Sequence, residues 1–245
     1  MFPIRDHNPS RGRAFVTWAL IAVNVAVFLS YRPLFADPEA LTRFFLDWGL
    51  VPRIALVQPD RFLTSIFLHG GWLHLGGNML FLWIFGDNLE DEMGHLPFLA
   101  FYFAGGVAAS VAQWAADPAS LIPVVGASGA IAAVMGGYLL MFPRARVDVL
   151  FFLVILIRIV PIPAGFVLTA WFGIQLVSGA VADTATGGVA YWAHAGGFLA
   201  GAALTLPLWL RRGGPGFWAR FHGHPPHPPS DIPSVARVPR VVRRR

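Results

Sequence analysis

The chain contains no cysteine and no lysine, and only 13% of its 245 residues are charged. Without cysteine it has no disulfide framework, no thiol nucleophile and no thiolate ligand for a metal cluster. A water-soluble domain of this size would carry about a quarter charged residues to cover its surface. What the chain has instead is hydrophobic mass, 56% of all residues. That mass is gathered into runs of about 20 residues, the length that crosses a ~30 Å hydrocarbon core at 1.5 Å per helical residue. An all-α, polytopic membrane protein is therefore expected, solvated by the lipid bilayer.

The runs predict six spans: Ala14 to Tyr31, Thr64 to Phe85, Leu96 to Ala116, Gly126 to Phe142, Ala164 to Gly179 and Tyr191 to Leu210. The connection up to Phe62 mixes charges with aromatics and is expected to form short helices lying in the membrane interface. Val147 to Val160 is apolar, but Pro161 and Pro163 break it and Arg158 is expensive at membrane depth. It reads as a buried or interfacial connection.

All 18 positive side chains are arginine, and eight of them lie between Arg211 and Arg245. Six spans put that tail on one side with Arg5, Arg11, Arg13, Arg144 and Arg146, which by the positive-inside rule is the cytoplasmic side. The tail reads as a topology anchor rather than a nucleic-acid site. The first apolar run lacks a small-x-small exit, so it reads as a retained anchor. The organisation expected is a cytoplasmic segment over 1–13, a membrane domain over 14–210, and a basic Pro/His-rich tail over 211–245, disordered from about Gly213. Composition and size suggest a bacterial inner membrane.

Polar groups inside spans are costly unless paired or used, so each is a candidate for function. The second span holds His69, His74 and Asn78. The fourth opens G-A-S-G-A, with Ser128 between Gly126 and Gly129. The sixth reads W-A-H-A-G-G-F-L-A-G, with His194 ahead of Gly197 and Gly201. A serine opening a helix sits beside unpaired N–H groups that suit an oxyanion. Glycines three and seven residues after His194 give the sixth helix a bare face for close packing. If that face meets the fourth span, neutral His194 can serve as base for Ser128. Residues four apart share a helix face, so His74 and Asn78 can both offer hydrogen bonds to an oxyanion. His69 lies about 140° round the helix from His74 and is expected to stand apart.

Taken singly these signals have ordinary explanations, since a lone serine in a membrane helix commonly bonds its own backbone. A metal site is disfavoured by the lack of H-E-x-x-H. In combination, H-x4-H-x3-N, G-x-S-G and A-H-x2-G-x3-G resemble the motifs of the rhomboid family of intramembrane serine proteases. They come in that family's order, and the resemblance covers Ala14 to Leu210.

The resemblance implies a six-helix bundle in which Ser128 is nucleophile and His194 base. It implies that Asn78, His74 and the Ser128 N–H hold the oxyanion, and that Gly126 permits the turn before the nucleophile. Gly197 and Gly201 would pack the sixth helix on the fourth. Substrates would be transmembrane segments of other proteins, with no cofactor, no metal and no nucleic acid, and the fifth span would move to admit them. The oligomeric state is left open. Two departures stand out: Ala132 occupies the position of a tyrosine that in some members stacks on the histidine, and the first loop has no adjacent Trp-Arg pair. The alternatives are an inactive relative that binds membrane proteins and, further off, a small transporter.

Overall fold

The computed structural model describes residues 2–153, 156–182 and 188–221. Six helices form the bundle: α1 (Phe15–Tyr31), α4 (Trp72–Met93), α5 (His95–Ala116), α6 (Ser128–Met141), α7 (Ala164–Val181) and α8 (Tyr191–Arg211). Between α1 and α4 lie the short helices α2 (Pro38–Trp48) and α3 (Arg61–Thr64). Helices α1, α5, α7 and α8 are long and apolar enough to cross a membrane; α6 is apolar but shorter, and α4 ends in an acidic turn. Large apolar side chains on the outside, such as Phe166, Val177, Leu199 and Leu29, face outward. Lipid, not water, is the solvent such a surface fits.

Helix α6 is the axis of the bundle. All its residues from Gly129 to Tyr138 are buried, which its small side chains allow because neighbouring backbones can come close. A methyl group on Gly197 would collide with the carbonyl of Gly129, and one on Gly201 with the carbonyl of Ala133. The bare face of α8 therefore lies directly on the α6 backbone.

Ala14 precedes helix α1 at the capping position and offers no side-chain cap. The cap comes from α4: Glu90 accepts hydrogen bonds from the N–H groups of Val16 and Thr17, each at 2.8 Å, and from the Thr17 hydroxyl at 2.7 Å. A carboxylate there also meets the positive end of the helix dipole. In the long first connection, Asp37 caps α2 by accepting from Glu39 and Ala40 N–H. The Arg61 guanidinium lies over the Trp48 ring, 5.1 Å from its centroid. Tertiary folding thus pairs a Trp with an Arg although the two are not adjacent in sequence. Backbone bonds between Leu50 and Val124 tie this connection to the loop before α6.

Two expectations are corrected. The bundle is not purely α: the described residues of Val147 to Val160, read as a buried or interfacial connection, lie in two antiparallel paired strands, β2 (Arg146–Leu153) and β3 (Leu156–Pro163). The segment before α1 supplies a third strand, β1 (Phe2–Asp6), giving the order β1-β2-β3. The residues explain why. Prolines exclude a helix but are tolerated on an edge strand, and β3 is an edge. Val147 and Val149 point inward and are fully buried, while Arg158 is exposed on β3.

The second correction concerns the chain after Gly213. Pro215–Phe221 forms a further short helix, α9. Phe217 is buried, and the Trp218 indole donates to the Leu140 carbonyl at 3.0 Å while its ring packs on Trp209. Two aromatics give this stretch enough apolar surface to dock, and the positive φ of Gly213 and Gly214 makes the turn into it. The expectation of disorder over 222–245 lies outside the described residues, as does most of the loop after α7.

Candidate active site

Helices α4, α6 and α8 all begin at the end of the bundle opposite the sheet. Ser128 is the first residue of α6 and His194 lies in the first turn of α8. Close packing of the two helices brings the Ser128 hydroxyl to 2.8 Å from His194 Nε2. His194 is itself buried, with 9% of its surface exposed. The other ring nitrogen, Nδ1, lies 2.7 Å from Oε1 of Gln175 on α7. A carboxamide oxygen only accepts, so Nδ1 carries the proton and Nε2 presents a lone pair to the serine O–H. That is the tautomer a general base requires.

Gly126, two residues before Ser128, has φ of 134°, which strains any residue with a side chain. Its N–H donates to the Ser65 carbonyl at 2.9 Å. The space a side chain would fill is taken by His74, whose Nε2 lies 2.8 Å from the position of the missing Cβ. The Gly70 N–H donates to His74 Nδ1 at 3.2 Å. Nδ1 is thus an acceptor, and the proton of neutral His74 sits on Nε2, beside Gly126. One turn further along α4, Asn78 is buried and its amide nitrogen has no protein partner.

Ser128, His194, His74 and Asn78 line one cavity of about 930 Å³. Its wall runs from Leu73, Gly77 and Phe81 on α4 to Trp171 on α7, and its rim includes Asp117 and Tyr191. His69 does not line it. That ring is fully buried, edge-on to His74 at 5.1 Å, while its backbone exchanges hydrogen bonds with the Tyr31 hydroxyl. Among the described residues no group of three or more acidic or histidine side chains could hold a metal ion.

Sequence reasoning missed two glutamines and a tryptophan. Gln113 of α5 accepts the Ala193 N–H at 3.1 Å, capping α8 next to His194. Gln175 holds the imidazole from α7, and the Trp171 ring lies 5.6 Å from it at an angle of 35°. Where Ala132 leaves no aromatic on α6, α7 provides one. Polarity inside a span singled out the second, fourth and sixth runs, and the same rule applied to the fifth would have found Gln175.

A serine–histidine pair opening two close-packed helices, the histidine buried and the serine half-buried, with side-chain donors on a third, is an arrangement that serine hydrolases use, set here inside an integral membrane bundle. The rhomboid domain family matches residues 57–211, well over half of the chain, and the protein belongs to the rhomboid family. Members of that family are in general intramembrane serine proteases acting on transmembrane substrates. The chain is 32% identical over 196 residues to Rhomboid protein 1, mitochondrial, of Saccharomyces cerevisiae, covering 76% of this chain and 51% of that one. It is 32% identical over 203 residues to Rhomboid protease GluP of Bacillus subtilis, covering 80% and 36%. Presenilin-associated rhomboid-like protein, mitochondrial, of Homo sapiens is 30% identical over 147 residues, covering 59% and 37%. The chain thus spans about half or less of the length of these relatives.

Proposed function

We propose that the protein is an endopeptidase that cleaves transmembrane segments of other membrane proteins with Ser128 and His194 as a catalytic dyad. The observation that carries this reading is the 2.8 Å contact between the serine hydroxyl and a histidine nitrogen that bears a lone pair. The Ser128 proton passes to Nε2 as Oγ attacks the substrate carbonyl carbon. The tetrahedral oxyanion then accepts hydrogen bonds from Asn78 Nδ2, His74 Nε2–H and the free N–H at the start of α6. The imidazolium returns its proton to the leaving amine, and water entering the cavity hydrolyses the acyl ester by the same steps in reverse roles.

Membrane geometry supports the same reading. The 14 residues of α6 rise about 21 Å, short of the ~30 Å hydrocarbon core. Ser128 then lies below the membrane surface, in a cavity that water can fill. The cavity continues between α4 and α7, which supports α7 as the element that moves to admit substrate. A disulfide engineered between α7 and α4 is expected to slow cleavage of membrane substrates. All six bundle helices are taken to span, with both termini on the arginine-rich, cytoplasmic side. The mitochondrial names of the yeast and human relatives give no support to a bacterial inner membrane, so the proposal stops at an integral membrane location.

The deciding test compares wild type, Ser128→Ala and His194→Ala on model transmembrane substrates in liposomes, with fluorophosphonate labelling in parallel. Wild-type cleavage and labelling that vanish in both variants, with melting curves unchanged, is the expected result. Equal cleavage by all three would overturn the dyad. No cleavage and no labelling by the wild type would favour a membrane-protein binder without protease activity.

A further inference from the structure

We infer that Gln175 is a positioning residue that fixes the protonation pattern of His194, so that the base is competent only while α7 is docked. The inference rests on the dyad reading above. Helix α7 buries five residues, Ala164, Val167, Leu168, Gln175 and Gly179, of which Gln175 is the one carrying a polar side chain. A glutamine loses side-chain freedom and hydration when buried, so its carboxamide needs partners on both ends. It has them. Nε2 reaches back 3.4 Å to the Trp171 carbonyl one turn earlier, and Oε1 faces His194 Nδ1 at 2.7 Å.

These two contacts determine the amide's orientation. Turned over, Oε1 would oppose the Trp171 carbonyl, acceptor against acceptor, while the NH2 group would claim the lone pair of Nδ1. The proton would then move to Nε2, where it would face the Ser128 hydroxyl and leave no base. The backbone of α7 thus selects the amide orientation, the amide selects the tautomer, and the tautomer makes Nε2 the acceptor for Ser128. A role of this kind, orienting the base through its distal nitrogen, is the one a carboxylate plays in a serine-protease triad. Here a neutral amide fills it.

The imidazole is held by α7 on a second side. The Trp171 ring stands 5.6 Å from that of His194, and both Trp171 and Phe172 pack on Phe198 of α8. Ser128 and His194 come from α6 and α8, whose backbones are in direct contact through glycines. The groups that set the state of His194 come from α7, the helix whose Phe166, Ile174 and Val177 remain exposed on its other face. A displacement of α7 by an ångström or two would break the 2.7 Å bond without separating serine from histidine. Alignment of the base is therefore coupled to the return of α7.

The titratable groups around His194 are His74 on α4, and Asp117 and Tyr191 at the cavity rim. No carboxylate bonds to the imidazole among the described residues. A carboxylate at position 175 would accordingly be a new charge whose influence on His194 can be read from the pH profile.

The test is cleavage of a transmembrane substrate in liposomes across pH by wild type, Gln175→Leu and Gln175→Glu. For Gln175→Leu, kcat is expected to fall roughly 10- to 100-fold with KM little changed, a part of the 10²–10⁴ that general-base catalysis typically supplies. Gln175→Glu restores an acceptor, so turnover returns at neutral pH. The acid limb of the pH–rate profile shifts upward, because a carboxylate favours the imidazolium. A merely structural glutamine would leave that limb in place. Retention by Gln175→Leu of kcat and profile within about twofold, the scatter ordinarily seen for remote substitutions, overturns the inference. An unmoved limb in Gln175→Glu does so as well.

Should either variant fail to fold, nitrogen-15 NMR of the histidine-labelled wild type decides. A proton on Nδ1 of His194 is expected, and a proton on Nε2 refutes the assignment. Wild-type labelling by fluorophosphonate separates the two levels. If the wild type neither labels nor cleaves, the dyad fails. If it labels, and Gln175→Leu labels equally fast, only the role of Gln175 fails.

Discussion

At the sheet end of the bundle Glu90 is enclosed, and its carboxylate is engaged by Val16, Thr17 and His95. At the opposite end Asn78 is nearly as buried, yet its amide nitrogen meets no protein acceptor. The same contrast runs through the neighbouring residues. Arg5 and His7 close on Asp148, Tyr138 donates to Asp6, and Asn88 donates to the Asn8 carbonyl, so most of these sheet-end groups serve one another, the Asn8 side chain and the Asn88 carboxamide oxygen excepted. His74, Asn78 and Ser128 instead face a cavity. A buried donor without an acceptor is costly, and it persists where a ligand or transition state supplies the acceptor. One end of the bundle pairs its carboxylates with protein donors and the other turns its polar groups to a cavity, with α6 running through both.

The division can be broken most sharply at Asn78. Asn78→Ala is expected to raise the barrier to cleavage by about 2.7–4 kcal/mol, as loss of one oxyanion donor typically does. Thermal stability should hold or rise, because a buried unpaired group is removed. Steady-state kinetics beside a melting curve test both halves, and a stable variant with unchanged kcat would take Asn78 out of the site. Gly201→Ala probes the seam between the ends. Its methyl group meets the Ala133 carbonyl, and overpacking of this kind costs about 1–3 kcal/mol. Both stability and activity should fall, and loss of stability alone would show that the dyad tolerates a shift of α8.

Glu90→Ala should cost about 1 kcal/mol, the usual value of a helix cap, while leaving kcat intact. A drop in kcat with unchanged stability would erase the distinction between the ends. The smallest effect concerns Asp6. Burial pushes its carboxyl up from 3.8 to about 7, with the charge of Asp87 adding to the rise and the Tyr138 hydrogen bond opposing it. Docked Asp6 holds a proton at pH values where the undocked carboxyl has lost it, so docking stability declines as pH rises from about 4 to about 7 and is flat above. Hydrogen exchange of the β1 amides should quicken over that window, and Asp6→Asn should abolish the dependence. Exchange that slows with pH after correction for intrinsic rates would reverse the assignment.

Legibility in the sequence followed the same boundary. Ser128, His194, His74 and Asn78 stood out because a polar side chain in an apolar run is conspicuous, Gly126 because it flanks the serine, and Gly197 and Gly201 because their spacing repeats along a helix. Gln175 was passed over because it belongs to none of the three motifs. The sheet went unread because β1 and β2 lie far apart in the chain, and nothing local announces such a pairing. Phe217 and Trp218 were overlooked among prolines, glycines and arginines, where two aromatics hardly change the composition.

Composition by itself determined that lipid is the solvent, since so few charges cannot cover a water-soluble surface of this size. Helical spacing by itself determined which faces can approach, because a turn of 3.6 residues puts the glycines of α8 in line below His194. Only the tertiary structure decided what orients His194 and what closes the far end. Both depend on contacts between α7 and α8, and between β1 and β2. Such contacts are set by how whole elements pack, and no periodicity within one segment encodes them.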